Sequence, residues 1–526
     1  MSSESTYQFL VLLLAVAIVL ELVARRMRLP PAAALIVGGI VLALIPGAPT
    51  VEINPELVLL IFLPPLLMRS AYFTVWREFK RYFVGIASLA VGAVVFTTLS
   101  VGVVFHLLFP QLPWAAGFAL GAIVAPPDAV SASAVLERLH LPGRITALIE
   151  GESLVNDASG LVLFRFAVAA ALTGSFSLPD AFVSFSWDTL GGIGAGLLSG
   201  WIGLFVISKL HETQLIITAT LLLAVLSYIA AEQVGSSGVL STVTTGLLLG
   251  WHQHETFSAS TRLRTHAFWQ ALAFLMESLL FIFIGLSLRG VLNRIGGLQT
   301  GLADLAVPLL WIIATVILAR FLWLFGSAAL RRLVPSKEKA GEVSPMVAAT
   351  IIGWAGMRGV VTLAGALSLP MQMPGRDIIL VSAFSVIIVT VLLQGVTLGP
   401  LVKILKVANP EEKRLAANNE ALAWKRVASA QYLAVKQMAR SKDGSLAHPR
   451  LLEQYKHRAD AASRYEEDQA MHKVIKSAHF EAVILAIKAG RKEIFKMHRA
   501  GEINENAMRH LERQLDLQEL AAEERL

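Results

Sequence analysis

Long apolar runs recur along almost the whole chain up to residue 405, and few folds can hold them. About 18 or more mainly apolar residues suffice to cross a bilayer as a helix, and shorter or interrupted runs also qualify where prolines and glycines fall. Thirteen spanning helices are predicted on this basis: 7–24, 30–46, 55–73, 82–108, 113–138, 146–173, 187–209, 213–232, 236–251, 266–289, 304–331, 345–370 and 377–405. The expected fold is an all-α polytopic membrane protein. Composition agrees: 526 residues that are 55% hydrophobic and only 16% charged could not hide so many apolar runs in a soluble core.

The charges that remain are placed asymmetrically. With the N-terminus outside, the inner loops and their edges hold Arg25, Arg26, Arg28, Arg77, Lys80, Arg81, Arg138, Arg144, Lys209, Arg262, Arg264, Arg331, Arg332, Lys337 and Lys339. The outer loops hold Arg289, Arg294 and Arg376, so the balance is fifteen against three and follows the positive-inside rule. Thirteen helices then leave the C-terminus in the cytoplasm. The net charge of +7 is explained by the membrane surface, and no nucleic-acid partner is expected. The apolar run nearest the N-terminus follows Glu4 with no Lys or Arg before it, so it reads as a retained helix and not as a signal peptide. With no cysteine there is no disulfide, thiolate metal site or Cys nucleophile.

Two domains are expected. Residues 1–405 form the membrane domain, and 406–526, rich in Ala, Glu, Lys, Arg and Gln, form a cytoplasmic tail of a few amphipathic helices. The tail's apolar run Phe480 to Ile487 is too short to span and reads as a buried helix face. Its histidines are scattered, and no phosphate loop or metal cluster is present there.

Two predicted helices are broken. The fifth carries Ala125-Pro126-Pro127-Asp128, whose prolines remove backbone donors, and the twelfth carries Gly353-Trp354-Ala355-Gly356-Met357-Arg358-Gly359. Freed backbone groups at membrane depth must be buried in protein or line a wet cavity. If helices 1–6 and 8–13 are two repeats flanking helix 7, the breaks fall at corresponding places, which is the pattern of a transporter's midplane site. Helix 7 itself carries Gly192, Gly196 and Gly200 at four-residue spacing, a stripe suited to close helix packing.

The chemistry centres on Ile149 to Leu161, an acidic and amide-bearing stretch within an apolar run. Glu152, Ser153, Asn156 and Asp157 fall on one helix stripe as two pairs spaced by four residues. Ionisable groups at membrane depth are costly and mark ion or proton pathways. Asp128 and Asp157 are the leading carboxylates, and with Asn156 they are the expected transport and proton-binding residues. A monovalent cation such as Na⁺ wants oxygen ligands, which Asp128, Asp157, the Ser153 hydroxyl and the carbonyls freed near Pro127 would supply. Burial disfavours a charged carboxylate, so such a group accepts a proton or a cation in turn, and Asp157 is chosen as the exchanging group. Embedded Arg320 and Arg358 require counter-charges: Glu152 suits one of them, Glu277 is another possible partner, and Arg165 is read as snorkelling toward the outer surface.

Three segments carry a resemblance: Ala125-Pro-Pro-Asp128-Ala-Val, Gly151-Glu-Ser-Leu-Val-Asn156-Asp157-Ala, and Gly356-Met-Arg358-Gly-Val-Val-Thr-Leu-Ala. Their order and spacing on three helices resemble the monovalent cation/proton antiporter family, the sodium/proton exchangers of the NhaP and NHE kind, and in particular its bacterial YjcE-like branch. The likeness covers about residues 7–405, and the tail's closing segment from Gly501 also looks like bacterial members. It implies thirteen helices in two inverted repeats, a dimerisation domain and a moving core, a homodimer, and elevator-like alternating access with Asp157 binding cation or proton. Asn156 before Asp157 resembles the electroneutral branch. The resemblance also implies an ion bridge from Glu152 to Arg320, with Arg358 stabilising the crossing of the broken helices. Many members carry Thr immediately before the helix-5 aspartate. Here that residue is Pro127, so only its backbone can serve the ion.

The expected function is an electroneutral Na⁺(Li⁺)/H⁺ antiporter of the bacterial inner membrane, acting in pH and sodium homeostasis. It would need no cofactor beyond the transported Na⁺ and H⁺. The same machine exchanging K⁺ for H⁺, or exchanging monovalent cations without preference, is the alternative. An intramembrane aspartyl protease using Asp128 and Asp157 lacks the Gly-x-Gly-Asp context, and a passive channel would show a continuous polar lining.

Overall fold

The computed structural model describes residues 3–27, 29–45, 55–128, 132, 141–174, 178–294, 301–333, 343–405, 407, 410–439, 448–467 and 469–523. They are overwhelmingly helical, and no strand occurs among them. By packing, the chain divides into two compact units, Met1–Asn409 and Pro410–Leu526.

In the first unit the helices are α1 (Ser3–Met27), α2 (Pro31–Leu44), α3 (Pro55–Phe73), α4 (Trp76–Leu108), α5 (Trp114–Val124), α6 (Gly143–Thr173), α7 (Leu178–Lys209), α8 (Thr213–Gln233), α9 (Gly238–Thr256), α10 (Ala259–Arg294), α11 (Gly301–Leu333), α12 (Pro345–Trp354), α13 (Val360–Leu367) and α14 (Arg376–Ile404). Seven helices are long and apolar enough to cross a membrane, and four shorter apolar helices accompany them, among the described residues. Large apolar side chains lie bare on their outer faces: Leu190, Trp201 and Phe205 on α7 are 65–70% exposed. Such a face is stable only against lipid or another apolar surface. The protein is an all-helical, multi-pass membrane protein.

Helix bounds depart from the sequence expectation chiefly at amphipathic ends. The α4 helix begins at Trp76, α7 at Leu178 and α10 at Ala259, each ahead of its apolar run, because polar residues continue a helix beyond the hydrocarbon layer. The twelfth predicted helix is two short ones, α12 and α13, separated by Ala355–Gly359. The fifth is helical to Val124, and of its predicted remainder, residues 129–131 and 133–138 lie outside the described residues, as do Arg28, Lys337 and Lys339 of the basic loops.

Packing sorts the membrane helices into two sets. One comprises α1–α3 and α7–α10, whose tightest neighbours are α2 with α10 and α9 with α3 and α7; the other comprises α4–α6 and α11–α14. Gly39 on α2 and Gly285 on α10 sit where the two backbones touch: a Cβ at either would strike the other helix's main chain. The α7 glycine stripe packs as expected, with Gly192 against Ser237 and Leu240, Gly196 against Ser241, and Gly200 against Leu248. Thr245 then donates to the Gly196 carbonyl at 2.9 Å.

The second unit is built from α15 (Pro410–Met438), α16 (Pro449–Glu467), α17 (Gln469–Arg499) and α18 (Glu505–Glu523). Of the run Phe480 to Ile487, Val483, Ile484 and Ile487 turn inward while Leu485 is 72% exposed, so only one edge of that run is a buried face. Arg491 on α17 bonds to Asp516 and Glu519 on α18, and these two carboxylates raise its guanidinium pKa above the ordinary value.

Candidate functional site

Both helix breaks meet in one place. After Val124 the prolines end α5, and the freed N–H of Asp128 donates to the Met357 carbonyl, itself freed by the α12–α13 break, at 2.7 Å. Each interruption thus satisfies a polar group left by the other, as backbone at membrane depth requires. Glycine permits the approach. A Cβ on Gly359 would fall on the Asp128 carboxylate, and one on Gly356 would fall on the Arg320 side chain.

The α6 stripe runs beside this crossing. Asp157 sits at the middle of a 31-residue helix, about 21 Å from its start at 1.5 Å per residue. The four polar residues split between two edges of the helix. Glu152 and Asn156 are buried against neighbouring helices, whereas Ser153 and Asp157 line a cavity. Successive residues turn by about 100°, so a stripe two residues wide can serve two surroundings at once.

On the buried edge, Arg320 of α11 grips Glu152 through both oxygens, at 2.6 and 2.9 Å, with the two side chains 4% and 1% exposed. Arg320 also donates through Nε and Nη2 to the Ile352 carbonyl at 3.2 and 3.0 Å. The fork therefore ties α6 and α11 to the end of α12. One turn on, Asn156 Nδ2 donates to the Pro127 carbonyl at 2.8 Å, and its Oδ1 is buried with no hydrogen-bond partner among the described residues. Arg358 is buried to 1% exposure at the second break. Its backbone N–H donates to Thr390 Oγ1 at 3.1 Å, while its charge is attracted by Glu152 and repelled by Arg320.

On the open edge lies a cavity of about 410 Å³. Its wall includes Pro127, Asp128, Ser153, Asp157 and Gly359, so the expected ion ligands are brought to one surface. Asp128 and Asp157 lie near enough to repel one another electrostatically. Glu150 near the start of α6, Thr74 just past α3 and His266 in α10 also line it, which places the cavity's other residues toward the face where α3 ends and α6 and α10 begin. Among the described residues no group of three or more His, Cys, Asp or Glu gathers as a metal cage. The arrangement suits a weakly held monovalent ion that shares carboxylates, a hydroxyl and carbonyls with water.

Two expectations are corrected here. Glu277 pairs with Arg69 on α3, at 3.3 Å, and not with an arginine of the broken-helix region. Arg165 meets Glu232 of α8 through one nitrogen at 3.1 and 3.0 Å instead of simply snorkelling. Arg69 and Thr390 were missed, since each stands alone in an apolar run and acquires a partner only through the tertiary fold. The α14 backbone carries a π-helical turn at Thr390–Gln394, a deformation often found at functional sites.

Comparison with known proteins agrees with this geometry. A family model described as "Sodium/hydrogen exchanger, transmembrane" matches residues 10–404. The chain is 32% identical over 378 residues to the sodium, potassium, lithium and rubidium/H⁺ antiporter of Bacillus pumilus (strain SAFR-032), a match covering 68% of this chain and 56% of that protein. It is 30% identical over 504 residues to the uncharacterised Na⁺/H⁺ exchanger YjcE of Escherichia coli (strain K12), covering 89% of this chain and 90% of that one. The solved structure of the sodium proton antiporter MjNhaP1 from Methanocaldococcus jannaschii shares the fold, with a TM-score of 0.61 at 21% identity over 77% of this chain and 99% of that one. With its paired breaks, its midplane carboxylates and this match along the membrane unit, the chain belongs to the sodium/hydrogen exchanger family of transport proteins.

Proposed function

We propose that the protein is an electroneutral Na⁺(Li⁺)/H⁺ antiporter. The observation that carries the reading is the placing of Asp128, Asp157 and Ser153 on one cavity wall beside two crossed helix breaks. An entering cation binds the Asp157 carboxylate with oxygens of Asp128, Ser153 and water. A proton arriving from the other side converts Asp157 to the neutral acid, and the cation leaves because the charge that held it is gone. One charge is carried each way, so the cycle moves no net charge. Protons and cations compete, and the apparent KM for the cation is expected to rise as pH falls.

Asn156, Glu152, Arg320 and Arg358 act on this reading as structural supports that hold the crossing in shape. The Pro127 carbonyl accepts the Asn156 amide, and its second lone pair remains for the ion or a bound water. Transport proceeds by elevator-like movement of the α4–α6 and α11–α14 set against the other, within a homodimer, in a bacterial inner membrane with the N-terminus outside and the tail in the cytoplasm. In that orientation the face where α3 ends is cytoplasmic, and the cavity is inward-facing.

A K⁺/H⁺ or unselective monovalent cation/H⁺ exchange is the second reading. It is favoured by Pro127, which offers no side-chain oxygen to tighten the site around a small ion, and by the broad cation range for which the Bacillus pumilus relative is named. Cation-induced dequenching of a pH-sensitive dye in proteoliposomes tests both. A Na⁺ or Li⁺ signal, absent in Asp157→Asn and unchanged by a valinomycin clamp, supports the first reading. A K⁺ signal of equal size supports the second, and full activity in Asp157→Asn overturns both.

A further inference from the structure

The cavity that holds Asp128 and Asp157 has a second charged wall, formed by α3 and α10. There Arg69 Nη1 reaches Glu277 Oε1 at 3.3 Å, with side chains 29% and 24% exposed, and both line the cavity with Gln270 and His266. This pair differs from Glu152–Arg320 in contact geometry and in burial. The latter is a two-point fork at 2.6 and 2.9 Å, sealed from solvent, whereas Arg69–Glu277 is one long contact on a partly exposed cavity wall. Arg69 Nε is buried without a hydrogen-bond partner among the described residues, so its guanidinium is poorly anchored. Charge in the cavity is also uneven: Asp128, Glu150, Asp157 and Glu277 line it, and Arg69 is the one lining side chain, among those described, with a permanent positive charge.

Resting on the antiport reading above, we propose that Arg69 and Glu277 form an access gate that sets the apparent affinity for the cation. Glu277 is a station on the way to Asp157, and Arg69 occupies it until an entering cation displaces the guanidinium. Arg69 is therefore a positioning residue that acts through Glu277. Its positive charge also opposes the entry of a cation into the cavity that these carboxylates line.

The gate predicts opposite effects from its two halves, whereas a merely structural ion pair predicts the same loss from both. In proteoliposomes loaded with the pH-sensitive dye, Arg69→Gln is expected to lower the KM for the transported cation by about three- to tenfold, as loss of one nearby positive charge implies. Glu277→Gln is expected to raise KM by a similar factor, with kcat changed less than KM in both. Arg69→Lys, which keeps the charge, is expected to restore most of the wild-type KM. If Arg69→Gln does not assemble, KM in Arg69→Lys and Glu277→Gln still decides. The first near wild type and the second raised sustains the gate, and any other combination overturns it. KM raised in both neutral variants, or unmoved in both, overturns it too. Asp157→Asn run in parallel separates the two levels. If the native protein transports and Asp157→Asn does not, a failed KM prediction sinks the gate alone. If Asp157→Asn transports fully, the antiport reading has failed first.

Discussion

Asn156 donates its side-chain amide to the Pro127 carbonyl at 2.8 Å, so the residue preceding Asp157 is bolted to the residue preceding Asp128. Asp157 and Asp128 thereby inherit a fixed separation from a contact between their neighbours. A cation site made of few ligands would depend on such second contacts to hold the spacing of its carboxylates.

Asn156→Ala leaves the Pro127 carbonyl buried without this donor, which is expected to cost about 1–3 kcal/mol. Asn156→Asp keeps the size but sets an acceptor against an acceptor, unless the introduced carboxyl is protonated. The melting temperature of purified Asn156→Asp is therefore expected to fall further below wild type at pH 8 than at pH 5. An equal fall at both pH values would show that the amide bond is not what holds this crossing.

Much of this was legible in the sequence, and the limits have physical causes. Membrane helices announce themselves by length and apolarity, and the two breaks by Pro126-Pro127 and the glycines around Arg358. Asp128, Ser153 and Asp157 were found because a polar group in an apolar run has to be explained. What stayed hidden were pairings between distant helices. For Glu277 the sequence suggested Arg320 or Arg358, and only the packing of α3 on α10 selects Arg69. That the stripe on α6 divides, with Glu152 and Asn156 on protein and Ser153 and Asp157 on the cavity, depends equally on where neighbouring helices lie.

Breaking the buried fork from either side leaves a charge stranded. Arg320→Met and Glu152→Leu are each expected to destabilise the protein by about 3–5 kcal/mol, while the combined variant is expected to recover much of that loss. Arg320 also holds the Ile352 carbonyl, so recovery should be less complete than for an isolated pair. Thermal melting of the three variants in one detergent checks this. A combined variant as unstable as the sum of the singles would mean that the two side chains act independently and that their pairing does not set the loss.

Thr390 joins α14 to the second break. Thr390→Val removes the acceptor for the buried Arg358 N–H and is expected to cost about 1–3 kcal/mol, while Thr390→Ser keeps the hydroxyl and most of the stability. Melting curves that rank Val below Ser would support the contact. The reverse order would assign the effect to the Thr390 methyl group instead.

Gly359 tests the site itself more sharply than a charge substitution can, because a substitution there shifts positions while keeping every ionisable group in the chain. A Cβ there overlaps the Asp128 carboxylate, so Gly359→Ala must push that carboxylate aside or shift the broken-helix backbone. Misplacing a functional group by ~1 Å can cost on the order of 100-fold in rate, and a comparable loss of transport efficiency is expected here. Gly326 in α11 supplies the control. Nothing lies within 4 Å of the position its Cβ would take, so Gly326→Ala should transport as wild type does. In a helix interior that change also removes glycine's extra unfolded-state freedom and should stabilise by about 0.4–1 kcal/mol. Dye-based transport and melting temperature measured on both variants separate the outcomes. Loss of transport in Gly359→Ala with the fold retained would place Asp128 in the working site. Normal transport would mean that the cation does not depend on where the Asp128 carboxylate stands.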